Sequence, residues 1–329
     1  MSARGGGGKC ETRSEPPTRR RRRPPGCHHG AVAAENSTTA PAREFQQHRD
    51  VLLAVAYRML GRVADAEDVV QEAWLRWSAA DTTAVRDARG YLVRTTTRLA
   101  IDRLRQVQAR KETYVGPWLP EPFPTDLASA PVPDGADRVV LAESVSLALL
   151  VVLESLSPLE RAVFVLREAF GYPYTEIAAT LERAEPAVRQ LAGRARRHVA
   201  ERRPRFEVDP AQQRDLTERF LAAATAGDLE GLLAVLAPDA HLVGDAGGKA
   251  KAPRRVIESA RKVARFLAAI GPKEIPDVRW TFLELNGAPA VLVTSGGRPH
   301  TVMSVDVIDG RIRTLYLMAN PDKVAHLAP

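Results

Sequence analysis

The chain has 329 residues, a net charge of +7 and two cysteines. That length predicts two or three domains. Two cysteines exclude a disulfide framework and fit a reducing compartment such as the cytoplasm, and the absence of a long apolar run excludes a membrane-spanning helix from the expectation. The charge is uneven: residues 1–43 hold nine Lys/Arg against three Glu, so the basic pI belongs mostly to that end and basicity elsewhere is local.

Residues 1–42 are rich in Gly, Arg, Pro and Ser/Thr without periodic apolar positions, and are predicted to be a disordered basic tail. The Arg19–Arg23 run could touch nucleic acid nonspecifically, but we read it as idle. Cys10 and Cys27-His28-His29 match no zinc spacing, so no metal or other cofactor is expected. Order is predicted to begin near Glu44, where Phe45, Leu52, Val55, Ala56, Met59 and Leu60 trace one face of a helix that stops at Gly61. A second helix follows in VADAEDVVQEAWLRW. Its stripe is Ala66, Val69, Val70, Ala73, Trp74 and Trp77, and its other face carries Asp65, Glu67, Asp68, Gln71 and Glu72. Four acids in eight residues suit docking on a basic partner. After a polar connector, Tyr91 to Lys111 reads as a basic helix. From Arg89 to Lys111 there are seven Lys/Arg and one Asp, with Arg94, Arg98 and Arg105 along one side. With Arg89 and Tyr91 at its start, such a helix suits melted nucleic acid, where aromatics stack on bases and cations hold phosphates.

Six prolines between Val115 and Pro133 predict a stiff, extended linker. Ser157-Pro158-Leu159-Glu160 is a capping box with proline at the first helical position, predicting a helix to about Phe170, stopped by Gly171 and Pro173. Thr175 is the expected cap of a short helix carrying Ile177, Ala178 and Leu181. A longer helix opens near Glu185, with Val188, Leu191, Ala192, Ala195 and Val199 inside and Arg189, Gln190, Arg194, Arg196 and Arg197 outside. This is the pattern of a helix-turn-helix, and Arg and Gln are side chains that read base edges in a major groove. An antiparallel helix pair with a solvated basic face is the plainer alternative. Seven Arg against one Glu from Pro186 to Arg205 are more one-sided than solvation needs.

From Pro210 the pattern changes. Two helices are expected around Leu216–Ala224 and Leu229–Leu236, a short strand over Ala240–Gly244, and a helix over Val256–Ile270. Strands then alternate around Asn286-Gly287 and Asp309-Gly310 turns to Met318. Helices followed by an antiparallel meander predict an α+β domain.

The DAEDVVQEAWLRW and RGYLVRTTTRLAIDRLR stretches and the helix-turn-helix, in that order, resemble regions two and four of an RNA polymerase sigma factor of the extracytoplasmic-function (ECF) class. Trp118-Leu119-Pro120-Glu121-Pro122 is similar to the WLPEP signature of the ECF group that carries a C-terminal SnoaL-like domain. Asp245-Ala246-Gly247-Gly248-Lys249 is similar to its DGGGK loop, with Ala246 for one glycine. Asn320-Pro321-Asp322-Lys323-Val324 is similar to its NPDKL tail. Strain is expected at Ala246 if that position needs a positive φ. The resemblance implies a multi-domain chain: region two at 43–112, linker at 113–135, region four at 136–205 and an α+β SnoaL-like cone at 210–329.

It also implies roles. Asp65, Glu67, Asp68, Gln71 and Glu72 would dock on the polymerase core. Arg89, Tyr91, Arg94, Arg98 and Arg105 would hold the −10 element, and Glu185, Arg189, Gln190, Arg194, Arg196 and Arg197 the −35 element. The three signatures would dock the cone onto the linker, including Gly247, Gly248 and Lys249. The expected partners are core polymerase and promoter DNA, with the cone open to a small-molecule ligand and no anti-sigma partner evident. No enzymatic role is expected. The alternatives are catalysis in the cone by His241, Asp245 or Asp306, and a repressor that ignores polymerase, which the acidic helix argues against.

Overall fold

In this computed structural model the described residues are 32–111, 113–125, 146–202, 209–270 and 277–327. The Arg19–Arg23 run and the Cys10 and Cys27-His28-His29 positions lie outside them. The first helix, α1, spans Val32–Leu60 with Pro41 inside it. It therefore reaches back into residues expected to be tail, through Ala33, Ala34, Ala40 and Ala42, the residue type of highest helix propensity. Gly61 ends it at φ 68°, the left-handed geometry that spares glycine a Cβ clash. α2 is Val63–Ala79 and α3 is Ala88–Lys111. Their shared core includes Leu52, Val55, Met59, Val69, Trp77, Leu92 and Leu104. The fully buried Trp77 donates its indole N–H to Pro41 O at 2.9 Å, so the largest side chain of this core leaves no unmet donor.

The second helical module begins with α4, Leu147–Leu153, capped by the Ser146 hydroxyl. α5, Pro158–Phe164, opens on the full reciprocal Ser157/Glu160 box. The single helix expected to Phe170 instead loosens into a π turn over Val165–Ala169 before Gly171 breaks the chain at φ 69°. α6 is Tyr174–Leu181 and starts behind Pro173, with no side-chain cap. The Thr175 cap is therefore corrected: Thr175 already lies inside the first turn. Glu182 closes α6 in the left-handed region at φ 52°. α7 is Glu185–Arg202, with Val188, Ala192 and Ala195 buried.

The third module packs α8 (Pro210–Ala226), α9 (Leu229–Val235) and α10 (Ala260–Ile270) on a six-stranded sheet. The strands are β1 (Leu236–Asp245), β2 (Ile257–Glu258), β3 (Val278–Leu285), β4 (Ala288–Ser295), β5 (Arg298–Ile308) and β6 (Arg311–Met318), in the order β2-β1-β6-β5-β4-β3. A four-residue helix, α11 (Pro321–Val324), closes the chain. β3 to β6 form the expected antiparallel meander, but β1 joins β6 in parallel. Ile257 and Glu258 pair with Leu242 and His241, which is why the helix expected from Val256 starts only at Ala260. Asn286-Gly287 and Asp309-Gly310 all have positive φ, the tight-hairpin geometry their residue types favour.

Strand alternation gives the sheet two apolar faces. Val291, Met303, Val305 and Leu315 face α8, α9 and α10. Leu292, Val302, Tyr316 and Met318 share a second cluster with Leu119 of the linker, Leu147 of α4 and Val324 and Leu327 of the tail. The second face is thus covered by the other modules, which is how the cone comes to hold the linker. For the fold itself, Ser157→Ala should cost ~1 kcal/mol by removing the capping box, read as a lower denaturant midpoint at unchanged slope.

Candidate functional site

The acidic face of α2 divides in two. Glu67, Asp68, Gln71 and Glu72 are exposed. Asp65 is 3% exposed and accepts two bonds from Arg103, at 2.9 and 2.6 Å. Its placement among docking residues is corrected: Asp65 shares a helix face with the buried Val69 four residues on, and so turns toward α3, where it anchors a guanidinium. Arg103 also reaches Asp68 at 3.1 Å, and Glu72 pairs with Arg76 at 2.7 Å.

The basic helix α3 is partly covered by the second module. Arg94 and Arg105 are exposed, while Tyr91, Arg89 and Arg98 are half-buried. Arg98 donates to Thr180 O at 2.8 Å and Ala179 O at 3.3 Å, and pairs with Glu182 at 3.0 Å. These carbonyls are in the last turn of α6, where a helix has unmet acceptors and favours a cation. Arg161, 1% exposed, does the same in reverse. It leaves α5 to donate to Met59 O at 2.7 Å, in the last turn of α1, with Glu154 as counter-ion at 3.3 Å. Each helical module therefore caps a helix of the other. Arg58 adds a cation–π contact over Phe170 at 5.1 Å. Nothing in the periodicity of α3 distinguishes Arg98 from Arg94; only the tertiary pairing does.

The outer face of α7 is accessible. Arg189, Gln190, Arg194, Arg196 and Arg197 are exposed and Glu185 is half-buried. Arg189 pairs with Glu185 one turn earlier and lies over the Tyr174 ring at 4.5 Å. Arg194 pairs with Glu160 at 2.9 Å and Arg196 approaches Glu168 at 3.9 Å. These are surface pairs, each worth little and easily exchanged for a phosphate.

The three signatures meet at one point. Lys323, 1% exposed, donates to Leu119 O at 2.5 Å and to Asp245 Oδ2 at 2.7 Å, and its Nζ lies 3.5 Å from the Trp118 ring centroid. Asp245 is fully buried. It accepts from Leu119 N at 2.8 Å and from the Tyr114 hydroxyl, while its backbone O accepts from Ala319 N and Asn320 N. Asn320 bonds Tyr114 at 2.7 Å and caps α11, and Lys249 pairs with Asp322. Positive φ falls on Gly247 and Gly248 but not on Ala246, so the strain anticipated at Ala246 is absent. A Cβ at Gly247 would come within 2.6 Å of Asn320 Nδ2 and 2.8 Å of the Tyr114 hydroxyl. Gly247→Ala should therefore destabilise by about 2–3 kcal/mol, whereas Ala246→Gly should stay under about 1 kcal/mol; denaturant unfolding of the two variants measures the contrast.

The same linker is held on its other side by the first module. Glu121 N donates to Gly61 O at 2.7 Å, Tyr57 donates to Glu121 O at 2.6 Å, and Val63 N donates to the Glu121 carboxylate at 3.1 Å. Asn286 of the cone bonds Tyr57 at 2.7 Å and both backbone groups of Phe123, at 2.8 and 3.1 Å. Pro120 and Pro122 are buried, and His326 Nε2 donates to Pro122 O at 3.0 Å. In the sequence Asn286 is only a turn residue, and Tyr57, Tyr114 and His326 carry no signal, since a partner distant along the chain leaves no periodic trace.

Burial pushes the Glu121 carboxyl up to about 7, against the opposing pull of Val63 N–H, Arg62 and Lys323. Burial also lowers His326, whose ring approaches Glu121 at 3.3 Å. A carboxyl whose folded pKa is raised contributes stability that is full below about 4.5 and is lost as pH rises through about 7. The melting temperature should accordingly fall between pH 5 and 8, with an upper bound of roughly 3 kcal/mol. Glu121→Gln should flatten that fall.

Of the cone's catalytic candidates, Asp245 is committed to the linker, and His241 contacts Thr314 Oγ1 at 3.1 Å. Among the described residues no cluster of His, Cys, Asp and Glu could hold a metal and no helix is long and apolar enough to cross a membrane.

An acidic helix, a basic helix and a helix-turn-helix, bound by one linker to an α+β cone, define a transcription initiation factor of the sigma type with a third domain fused behind it. Residues 45–110 match the family model for sigma-70 region 2, and residues 146–199 that for sigma-70 region 4. The chain is 38% identical over 297 residues to the ECF RNA polymerase sigma factor SigJ of Mycobacterium tuberculosis (strain ATCC 25618 / H37Rv), covering 85% of this chain and 92% of that protein. It is 36% identical over 284 residues to the probable ECF sigma factor SigI of the same species, covering 84% and 92%. The crystal structure of M. tuberculosis SigJ matches with a TM-score of 0.67 at 38% identity, over 86% of this chain and 97% of that one. The chain belongs to the ECF RNA polymerase sigma factors, which direct the polymerase to promoters.

Proposed function

We propose that this sigma factor is held closed by its cone, and that release of the tail opens it. The observation that carries the reading is the buried Lys323 ammonium, bonded at once to the linker (Leu119 O) and to the cone (Asp245). Regions two and four must separate to reach two promoter elements, yet here they cap each other's helices through Arg98 and Arg161. In the open state the exposed Glu67, Asp68, Gln71 and Glu72 dock on core polymerase, within the cytoplasm. Arg89, Tyr91, Arg94, Arg98 and Arg105 hold the −10 strand. Arg189 and Gln190 read −35 bases, with Glu185 orienting Arg189, while Arg194, Arg196 and Arg197 hold phosphates. The cone restrains and assists rather than catalyses, a role that a separate partner would otherwise fill. A ligand in the cone would shift the equilibrium only by its differential affinity for the two states.

Two truncations test this. Ending the chain before Asn320 removes Lys323 and should raise run-off transcription several-fold. Ending it near Pro210 removes the whole domain and should lower it. Equal activity of both with the full chain, at matched concentration on one promoter, would remove the regulatory role and return weight to catalysis in the cone.

A further inference from the structure

Many arginines of the helical modules have an acidic neighbour: Arg76, Arg98, Arg103, Arg161, Arg194 and Arg196 are all paired. One stretch of the cone departs from this. Arg254 and Arg255 precede β2, and Arg261, Lys262 and Arg265 lie on the outer side of α10, whose inner side buries Val263, Ala264 and Leu267. All five are exposed, and among the described residues none has an ion-pair partner. The only carboxylate in those twelve residues is Glu258, itself exposed. Five cations around one carboxylate repel one another in the free protein, which disfavours the compact state unless an anion is present in function.

The patch lies beside the linker that leaves the C-terminal end of α3. The chain leaving α3 after Lys111 runs within a few residues to Val115 and Gly116. Val115 lies against Gly248, and Gly116 against the Arg254 backbone, where a Cβ would sit 3.6 Å from Arg254 Cα. The basic surface of the cone is therefore next to the end of the basic helix of region two. We propose that Arg254, Arg255, Arg261, Lys262 and Arg265 form a further duplex-DNA contact, taking backbone phosphates of the promoter without reading its sequence.

Chemistry favours DNA over an acidic protein. Protein interfaces centre on buried aromatic and apolar side chains and are depleted in Lys, whereas the large apolar side chains exposed here are two valines, Val256 and, on the adjoining linker, Val115. Spaced Arg and Lys on a helix and its preceding loop suit phosphates, where released counterions supply the driving force. Because α3 and α7 already tether the promoter, weak contacts act at high effective concentration. This gives the cone a positive role in promoter binding, separate from its restraint of the linker.

The proposal rests on the reading of α3 and α7 as the promoter-binding helices. Holoenzyme reconstituted with the full chain is titrated onto a promoter duplex and onto a scrambled duplex across a salt series. The variant replaces all five residues by Gln, and a second replaces only Arg261, Lys262 and Arg265. The log–log salt slope should become shallower by about 0.9 for each phosphate that is no longer neutralised, so by at least about 2 in the five-residue variant. Affinity should drop on the order of tenfold or more on both duplexes, leaving the preference for promoter intact. An unchanged slope in either correctly melting variant overturns the proposal. So does an unchanged slope with weakened capture of core polymerase, which would assign the patch to a protein. Failure of the wild-type holoenzyme to prefer the promoter would sink the reading of α3 and α7 instead, a result distinct from either.

Discussion

A buried ammonium dominates the arrangement of this molecule. Lys323 is almost wholly shielded from water, and burial pulls it down to about 8 while Asp245 resists. An ion in such surroundings is tolerable only if its partners are fixed and complete. The requirement propagates outward. Asp245 must stay oriented, which Tyr114, Leu119 N–H and the Asn320 turn ensure. Leu119 O must face inward, which fixes the path of the linker, and Trp118 must offer its ring. Three segments far apart in sequence are thereby made mutually dependent. A buried ion pair of this kind contributes specificity more than stability: it selects one docking geometry because no shifted one satisfies all the groups.

The contacts between the two helical modules have a different character. Arg98 reaches carbonyls at the end of α6 across a half-exposed surface, and its partner Glu182 is largely exposed. Such pairs are worth ~0–1 kcal/mol and yield readily to competitors. Arg161 is buried, but it satisfies the end of α1 rather than any group needed for DNA. The Arg98 contacts can be exchanged for another anion at little cost, whereas Lys323 is sealed from solvent. The contact between the helical modules is thus the weaker one, and that between cone and linker the more fully enclosed.

The helical modules are largely legible in the sequence because their signals are local. The Ser157/Glu160 box, the Gly61 and Gly171 stops and the stripe of α7 are each written within one or two turns. What stays hidden is non-local. Asp65 and Asp68 look equivalent on a helical wheel, yet one is buried against Arg103 and the other is exposed. The strand register that delays α10 to Ala260 depends on β1, on the far side of a glycine-rich loop. Ala246 stands out as a substituted glycine, although φ shows that the two neighbouring glycines bear the turn. The docking role of the three signatures rests on resemblance alone; composition offers only a proline-rich stretch and two ordinary turns.

The two faces of the cone sheet are unlike. Its helix-covered face is a complete core of its own. Its other face is finished by Leu119, Leu147, Val324 and Leu327, which come from the linker, region four and the tail. Opening that face exposes apolar surface at about 25 cal/mol per Å², which opposes a cone that swings away intact from every partner at once. Staged release costs less: the tail and Lys323 can leave while Asn286 keeps Phe123 and Tyr57 in place. The linker would then stay ordered beside region two while region four moves. The cone is thereby tied to region two through Tyr57 and Phe123 by contacts that do not depend on the tail.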